Sequence, residues 1–353
     1  VNLGAVSADP ADNAIVYRLV RPPFLRQKTP DTFVRDIRKD RQQPFLLSRH
    51  QYCFNCHTFS NKSGNSGKLS LQVRYVGEKN LRNRVYFAIY DLETRRGRRT
   101  VLPFEIQMTT FMAWSPDGTK LAYSANQQIV AFSPIVMDAQ NAGQPTSDIA
   151  IYDTTTNTTY LLPGASDPEV LENYPRWTPD GKSIVFTRAK PGFHPLMTKY
   201  NLYIIPFNDG KGGVAEPVEG ASNNGMSNYF ARYCPDGRWI VFCRARKYML
   251  LQPDSELYII PAEGGEARRL RCNTSRMNSW HSWSPNGKWL VFASKGYSDY
   301  TQLCLTHIDE KGYSTPPVLL AHMTAPRRAA NIPEFVNAPA EAIAQIRPRF
   351  LDD

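Results

Sequence analysis

The residues best suited to chemistry are Cys53, Cys56 and His57, which form a C-x-x-C-H pentapeptide. This spacing is typical of c-type haem attachment: the two thiols form thioethers with the haem vinyl groups, and the adjacent histidine binds the iron. A zinc site would need two further ligands at close spacing, and the sequence has no second C-x-x-C and no H-x3-H. We therefore predict one covalently bound haem c, held by Cys53 and Cys56, with His57 as the proximal iron ligand.

The sixth iron ligand is a separate question, because haem iron takes a second axial His or Met in some proteins and keeps an open position in others. His281 is our first candidate, since it lies just before a predicted inner strand. Three methionines follow it in order of preference: Met277, Met112 and Met249. An open sixth position remains an alternative.

Four copies of one pattern must position these residues. Each copy has a Trp or Tyr, then one Ser, Thr or Cys, then Pro-Asp-Gly or Pro-Asn-Gly. The prolines Pro116, Pro179, Pro235 and Pro285 are 63, 56 and 50 residues apart. Proline presets the first turn position, Asp or Asn bonds the turn backbone, and Gly accepts positive φ. Alternating apolar strands follow each turn, so each copy predicts a β-hairpin. The four cores are 113–118, 176–181, 232–237 and 282–287.

Further strands complete each repeat. The third strands are predicted over 148–153, 201–206, 256–261 and 301–307, and shorter fourth strands over 159–162, 215–218, 267–270 and 317–320. A degenerate fifth copy has strands at 67–73, 85–90 and 99–102. Four strands in a repeat of about 50 residues are typical of a propeller blade. We predict an all-β propeller with six blades, the sixth closed by both chain ends and including the strand 14–20. Five or seven blades, or an open β-sandwich with repeated hairpins, are the alternatives.

The repeats resemble the TolB-like propeller family, whose repeats centre on W-S-P-D-G. The resemblance covers roughly residues 67–320 and implies a fold, not an activity. It divides the chain into an N-terminal segment, 1–50, that contributes to the closing blade, a propeller over 51–324 with the C-x-x-C-H motif in its first recognisable blade, and a C-terminal closure segment, 325–353. In such a blade the motif would lie at the entry of the innermost strand, so the haem would lie near the propeller axis, at the rim of the channel.

A narrower resemblance follows from the C-x-x-C-H motif upstream of the first hairpin and from the segments 279–284 and 331–336. Together they look like haem-bearing propellers that accompany multi-haem respiratory enzymes, such as nitrite-oxidoreductase-type assemblies. This implies an electron-transfer or assembly subunit of a respiratory redox complex, whose partner is another protein. Two alternatives stay open: a structural interaction propeller with a non-catalytic haem, and a haem oxidoreductase or peroxidase. The sequence favours a non-enzymatic role, because it shows no distal acid–base pair.

Composition limits the remaining choices. Lys and Arg total 42 and Asp and Glu 32 among 353 residues, a net charge of +10. The basic runs are short and scattered, so we expect an acidic protein partner and no nucleic acid. No run of 18 apolar residues exists, so we expect no membrane span. Because covalent haem is attached outside the cytoplasm, we expect an extracytoplasmic location and a removed signal peptide. The other cysteines predict buried thiols, or one or two disulfides, at 234, 243, 272 and 304.

Overall fold

The computed structural model describes residues 7–11, 14–21, 31–39, 41–47, 52–61, 67–75, 85–100, 102–103, 109–125, 129–132, 140–142, 147–192 and 197–346. Within these ranges the chain is almost entirely β-structure. The first thirteen strands are β1 (Ala14–Val20), β2 (Asp31–Asp36), β3 (Gln43–Leu46), β4 (Tyr52–Phe59), β5 (Lys68–Tyr75), β6 (Val85–Asp91), β7 (Arg96–Arg99), β8 (Thr110–Trp114), β9 (Lys120–Ala125), β10 (Ile129–Phe132), β11 (Gln140–Ala142), β12 (Asp148–Asp153) and β13 (Thr158–Leu161).

The second half of the chain continues the same alternation of strands and turns. Its strands are β14 (Leu171–Trp177), β15 (Ser183–Ala189), β16 (Asn201–Pro206), β17 (Glu216–Pro217), β18 (Ser227–Tyr233), β19 (Trp239–Ala245), β20 (Glu256–Pro261), β21 (Arg268–Arg269), β22 (Asn278–Trp283), β23 (Trp289–Ser294), β24 (Gln302–His307), β25 (Val318–Leu319) and β26 (Ala329–Val336). Short 3-10 turns lie at Asn208–Gly210 and Ala321–Met323. The helix α1 (Ala340–Ala344) follows, and no helix in the described ranges is long and apolar enough to cross a membrane.

Six antiparallel four-stranded sheets form the blades of a propeller, which confirms the predicted fold class and blade count. We number the blades along the chain: blade 1 is β4–β7, blade 2 is β8, β9, β12 and β13, blade 3 is β14–β17, blade 4 is β18–β21, and blade 5 is β22–β25. Blade 6 takes its strands from both ends of the chain, in the order β26-β1-β2-β3. The innermost strands are therefore β4, β8, β14, β18, β22 and β26.

The Pro-Asp-Gly turns fix the hairpin between the first two strands of blades 2 to 5. Their glycines, Gly118, Gly181, Gly237 and Gly287, have φ between +68° and +76°, which side chains disfavour. The turn carboxylates accept backbone N–H groups two residues on; Asp180, for example, accepts from Lys182 N at 3.0 Å. This chemistry explains why the repeats are recognisable in the sequence.

In blades 2, 3 and 5 the tryptophan of the repeat ties its blade to the blade before it. Trp114 Nε1 donates to the Thr58 carbonyl at 3.3 Å, and Trp177 Nε1 donates to the Ala113 carbonyl at 3.2 Å. Trp283 Nε1 makes the equivalent bond to the Arg232 carbonyl at 3.2 Å. The indole thus combines a large buried surface with one directed donor, which fixes the spacing of neighbouring inner strands.

Blade 6 closes the ring by pairing β1 with β26, with Ala14 opposite Val336. Arg18 Nε also donates to Asn331 Oδ1 across this pair at 3.1 Å. All seven residues of β1 and all eight of β26 are buried, so the closing seam belongs to the core.

Two details of the sequence prediction are wrong. The fourth strand of blade 1 is Arg96–Arg99 rather than 99–102, because the turn at 92–95 returns the chain earlier than expected. Blade 2 also carries an unpredicted two-stranded sheet, β10 and β11, between its second and third strands. The strands predicted over 14–20, 148–153, 201–206 and 256–261 are confirmed at both ends.

Candidate functional site in the central channel

Every innermost strand contains a two-residue bulge at the same place, which decides what faces the propeller axis. The pairing of β4 with β5 breaks between Phe54 and His57, and the other five inner strands break at the equivalent positions. A bulge re-aims side chains and increases local twist. The residue after the bulge is, in chain order of blades 1 to 6, His57, Ala113, Arg176, Arg232, Ser282 and Glu334.

The first bulged residue supplies an aromatic cluster that fills the axis. Phe111, Tyr174, Phe230, Trp280 and Ile332 have φ between +47° and +58°, a region that bulky residues adopt only at a cost. Ring centroids lie 4.0 Å apart for Tyr174 and Phe230, 4.5 Å for Phe230 and Trp280, and 5.0 Å for Phe111 and Tyr174. These rings come from four successive blades, so they can meet only at the axis. We call them the aromatic plug.

Four polar side chains from the next position converge beside the plug. His57 Nε2 lies 3.8 Å from a Glu334 carboxylate oxygen. Arg232, on the opposite side of the ring, is close enough to lower the pKa of His57. The charges of Arg232 and Arg176 also act to lower the pKa of Glu334. Because blades 1, 3, 4 and 6 share no other common border, these contacts place all four groups in the central channel. We call them the channel cluster.

His57 is held neutral. Its side chain is 1% exposed, and burial, followed by the charges of Arg18 and Arg232, lowers its pKa to about 3. Neither ring nitrogen makes a well-formed hydrogen bond with a described residue, although a weaker backbone contact with Val16 opposes part of the fall in pKa. A buried polar group without a partner costs free energy, so this imidazole is suited to binding a group that the protein chain does not itself supply.

Glu334 joins the last blade to the first. Its carboxylate accepts Thr58 Oγ1 and the Phe59 backbone N–H, each at 3.0 Å. Burial raises its pKa, while Arg232 and Arg176 oppose that rise. Arg176 Nη1 donates to the Met112 carbonyl at 2.6 Å, and its guanidinium lies 4.7 Å from the Tyr174 ring centroid. The channel cluster is therefore anchored to its neighbours and to the aromatic plug.

The C-x-x-C-H motif begins at the second residue of β4, the innermost strand of blade 1, and extends to His57 in the channel. Cys56 occupies the bulge and is buried, and His57 follows it into the channel. The side chain of Cys53 lies outside the described residues. A neutral imidazole with two unpartnered nitrogens, next to a buried cysteine, is the donor chemistry that c-type haem requires. On this observation the residues present fit the group.

The candidates for the sixth ligand are all buried. His281 and Met112 occupy the same bulge position as Cys56 in blades 5 and 2. His281 Nε2 donates to the Val241 carbonyl at 2.9 Å, and its Nδ1 lies 3.8 Å from Cys243 Sγ, so both nitrogens already have protein neighbours. Met277 and Met249 are packed in the same apolar cluster. Met112 and Cys56 belong to that cluster as well.

The cysteines of blades 4 and 5 are buried free thiols. Burial raises the pKa of each to about 12. A thiolate is the reactive form, so these side chains serve packing rather than chemistry. They are Cys234, Cys243, Cys272 and Cys304.

No family model and no curated protein matches the sequence of the chain. Among solved structures, TolB from Acinetobacter baumannii superposes with a TM-score of 0.60 at 18% identity, over 93% of this chain and 68% of that one. The fold is that of a TolB-like propeller. A putative TolB from Agrobacterium tumefaciens gives a TM-score of 0.51 at 18% identity, over 88% and 89% of the two chains.

The TolB-like propeller shares its architecture with proteins of other kinds. A hypothetical selenium-binding protein from Sulfolobus tokodaii gives a TM-score of 0.53 at 9% identity, over 94% of this chain and 95% of that one. At such identities the similarity establishes the fold alone, and function must be argued from the site.

Sequence reasoning missed Arg176, Arg232 and Glu334. A usable signal was nevertheless present in these three blades, because the channel position is the residue before an aromatic residue: Arg176-Trp177, Arg232-Tyr233 and, in the closing blade, Glu334-Phe335. Blade 1 lacks this signal, because Thr58 follows His57.

Proposed function

We propose that this TolB-like propeller is a c-type monohaem protein that serves as an electron-transfer or assembly subunit of an extracytoplasmic respiratory redox complex. The observation that carries the proposal is His57: the histidine of a complete C-x-x-C-H motif lies in the channel, neutral and with both nitrogens unpartnered. Cys53 and Cys56 would hold the haem through thioethers, and His57 would bind its iron. When bound, haem supplies reversible one-electron chemistry.

The protein's own residues would influence that chemistry through charge. Arg18 and Arg232 place positive charge near His57 in a water-poor channel, where electrostatic interactions are strong. Positive charge disfavours the more positive, oxidised iron, so these residues would raise the reduction potential. The aromatic plug lies next to the channel cluster and would exclude water from one side of it. A tuned, enclosed site supports electron transfer better than turnover of a diffusing substrate.

The partner and compartment follow from the same proposal. Covalent haem attachment takes place outside the cytoplasm, and the net charge of +10 suits docking to an acidic protein. A propeller presents two broad faces for such contacts. The proposed partner is a subunit of a multi-subunit respiratory assembly, of which nitrite-oxidoreductase-type complexes are an example.

The test is production of the full chain in the oxidising compartment of a host that attaches c-type haem. We expect one haem per chain that stays bound after denaturation, seen by intact mass and by a pyridine haemochrome spectrum. Cys56→Ala should leave a single thioether and shift the haemochrome band, while Cys304→Ala, a buried cysteine far from the motif, should change neither readout. Folded protein recovered without covalent haem would overturn the proposal.

Two further measurements separate the haem roles. His281→Ala should shift the Soret and near-infrared bands if His281 is the sixth ligand, and unchanged spectra would exclude it in favour of Met277, Met112, Met249 or an open position. Ready binding of carbon monoxide to the reduced protein would favour an oxidoreductase over electron transfer. A haem that cannot be reduced by any physiological donor would favour a structural role.

A further inference from the structure

The channel cluster contains more positive charge than its carboxylate can neutralise. Arg176 and Arg232 are both cationic, and Glu334 offers at most one negative charge in return. The charge of Arg232 lowers the pKa of Arg176, so the two guanidiniums repel each other. Two like charges in a water-poor channel are costly unless an anion compensates them.

The two guanidiniums also have unused hydrogen-bond donors. Nε of Arg176 and Nε of Arg232 are buried and have no acceptor in the described part of the chain, and no carboxylate there lies within salt-bridge distance of either. Arg176 uses Nη1 on backbone carbonyls, whereas Arg232 makes no side-chain hydrogen bond with a described residue. Both side chains are only partly buried.

The two arginines have one aromatic and two small neighbours in the ring. The Arg176 guanidinium lies 4.7 Å from the Tyr174 ring centroid of the aromatic plug, and blades 2 and 5 present only the small side chains of Ala113 and Ser282 at the ring position. His57 contributes two unpartnered nitrogens to the same space. Planar guanidiniums suit the paired oxygens of a carboxylate or phosphate, which each can hold through two parallel bonds.

We propose that the central channel is an oxyanion site, in which Arg176 and Arg232 together bind a carboxylate or phosphate group. The group has two possible sources, a free small anion or a carboxylate carried by a bound haem. The proposal does not depend on the haem, since it rests on the charge and donors of the two arginines.

The probes are inorganic phosphate and succinate, titrated calorimetrically into the full chain in a buffer of low chloride. Each should bind and should raise the Tm. Loss of one charged hydrogen-bonding partner should weaken binding by about 10- to 100-fold in Arg232→Gln and in Arg176→Gln. Arg232→Lys keeps the charge without the planar guanidinium, so its affinity for the anion should lie between those of the wild type and Arg232→Gln. Arg244→Gln is the matched control, because Arg244 is bonded to Asn228 Oδ1 and Gly220 O outside the channel, and it should bind as the wild type does.

A second readout does not require an added ligand. In anion-free buffer Arg232→Gln should have a higher Tm than the wild type, because it removes the repulsion, and phosphate should reverse that order. Anion binding by both haem-free and haem-carrying protein identifies a free-anion site, and binding by the haem-free protein alone identifies a haem carboxylate as the occupant. Absence of binding in both forms, or binding that Arg232→Gln leaves unchanged, overturns the proposal whether or not the haem is present.

Discussion

Glu172 is a buried carboxyl whose effect on the free energy of unfolding can be measured as a function of pH. It is the second residue of β14, fully buried, and its Oε2 accepts the Asp167 N–H at 3.1 Å. Its other oxygen lies 3.3 Å from Arg188 Nε but in no hydrogen bond. Burial is the largest influence on this carboxyl and raises its pKa from 4.5 to about 8, although Arg188 opposes the rise.

The perturbation is Glu172→Gln, which cannot ionise but keeps an acceptor for the Asp167 N–H. At pH values between 4.5 and about 8, Glu172 of the wild type keeps its proton in the folded state and loses it in the unfolded state. The free energy of unfolding therefore falls as pH rises, by about 1.4 kcal/mol per pH unit. Between pH 5 and pH 7 the loss from this one group amounts to about 2–3 kcal/mol. Glu172→Gln should lack that loss.

The assay is urea unfolding of both proteins at pH 5, 6 and 7, since urea leaves electrostatic interactions unscreened. The difference in unfolding free energy, variant minus wild type, should grow steadily with pH. Glu169→Gln, an exposed glutamate of the same blade, should run parallel to the wild type. If Glu172→Gln also runs parallel, Glu172 is ionised and paired with Arg188 throughout, and the reasoning from burial is refuted.

Three shorter predictions concern the channel and the core. Trp280→Ala removes a ring of the aromatic plug and should lower the free energy of unfolding by about 3–5 kcal/mol in urea, whereas a loss below about 1 kcal/mol would mean the plug contributes little. Glu334→Ala leaves the Phe59 N–H and the Thr58 hydroxyl without an acceptor and should cost about 2–6 kcal/mol, most of it recovered by Glu334→Gln. Thiol labelling at pH 8 should fail in the folded protein and succeed in urea, because the thiol pKa values lie near 12; fast labelling of the folded chain would contradict the burial of Cys234, Cys243, Cys272 and Cys304.

The fold was predictable because its turns are made by chemistry that is local in sequence. Pro179, Asp180 and Gly181 each impose a backbone conformation or a bond within a few residues, so the repeat can be recognised without tertiary information. The strand Ala14–Val20 was also predicted at both ends, because its run of mostly apolar residues is visible without tertiary information. Strands such as Arg268–Arg269 are too short for periodicity to set their bounds.

The channel cluster was not predicted because it depends on contacts between distant blades. Nothing near Arg232 in the sequence shows that it faces His57 across the ring, and nothing near Glu334 shows that it bonds Thr58. The bulges are equally hidden, since they insert two residues without a glycine or proline common to all six strands. The haem motif was predictable in part. Its chemistry can be inferred from five residues, but that His57 faces the channel follows only from the pairing register of β4.

The seam of blade 6 has a consequence for how the protein folds. Strand β1 pairs at its inner edge with β26, a strand far from it in the sequence. Until β26 is in place, a strand that is fully buried in the finished ring has an open hydrogen-bonding edge, which invites pairing with other chains. The ring is therefore protected against misassembly only when residues 329–336 dock beside residues 14–20.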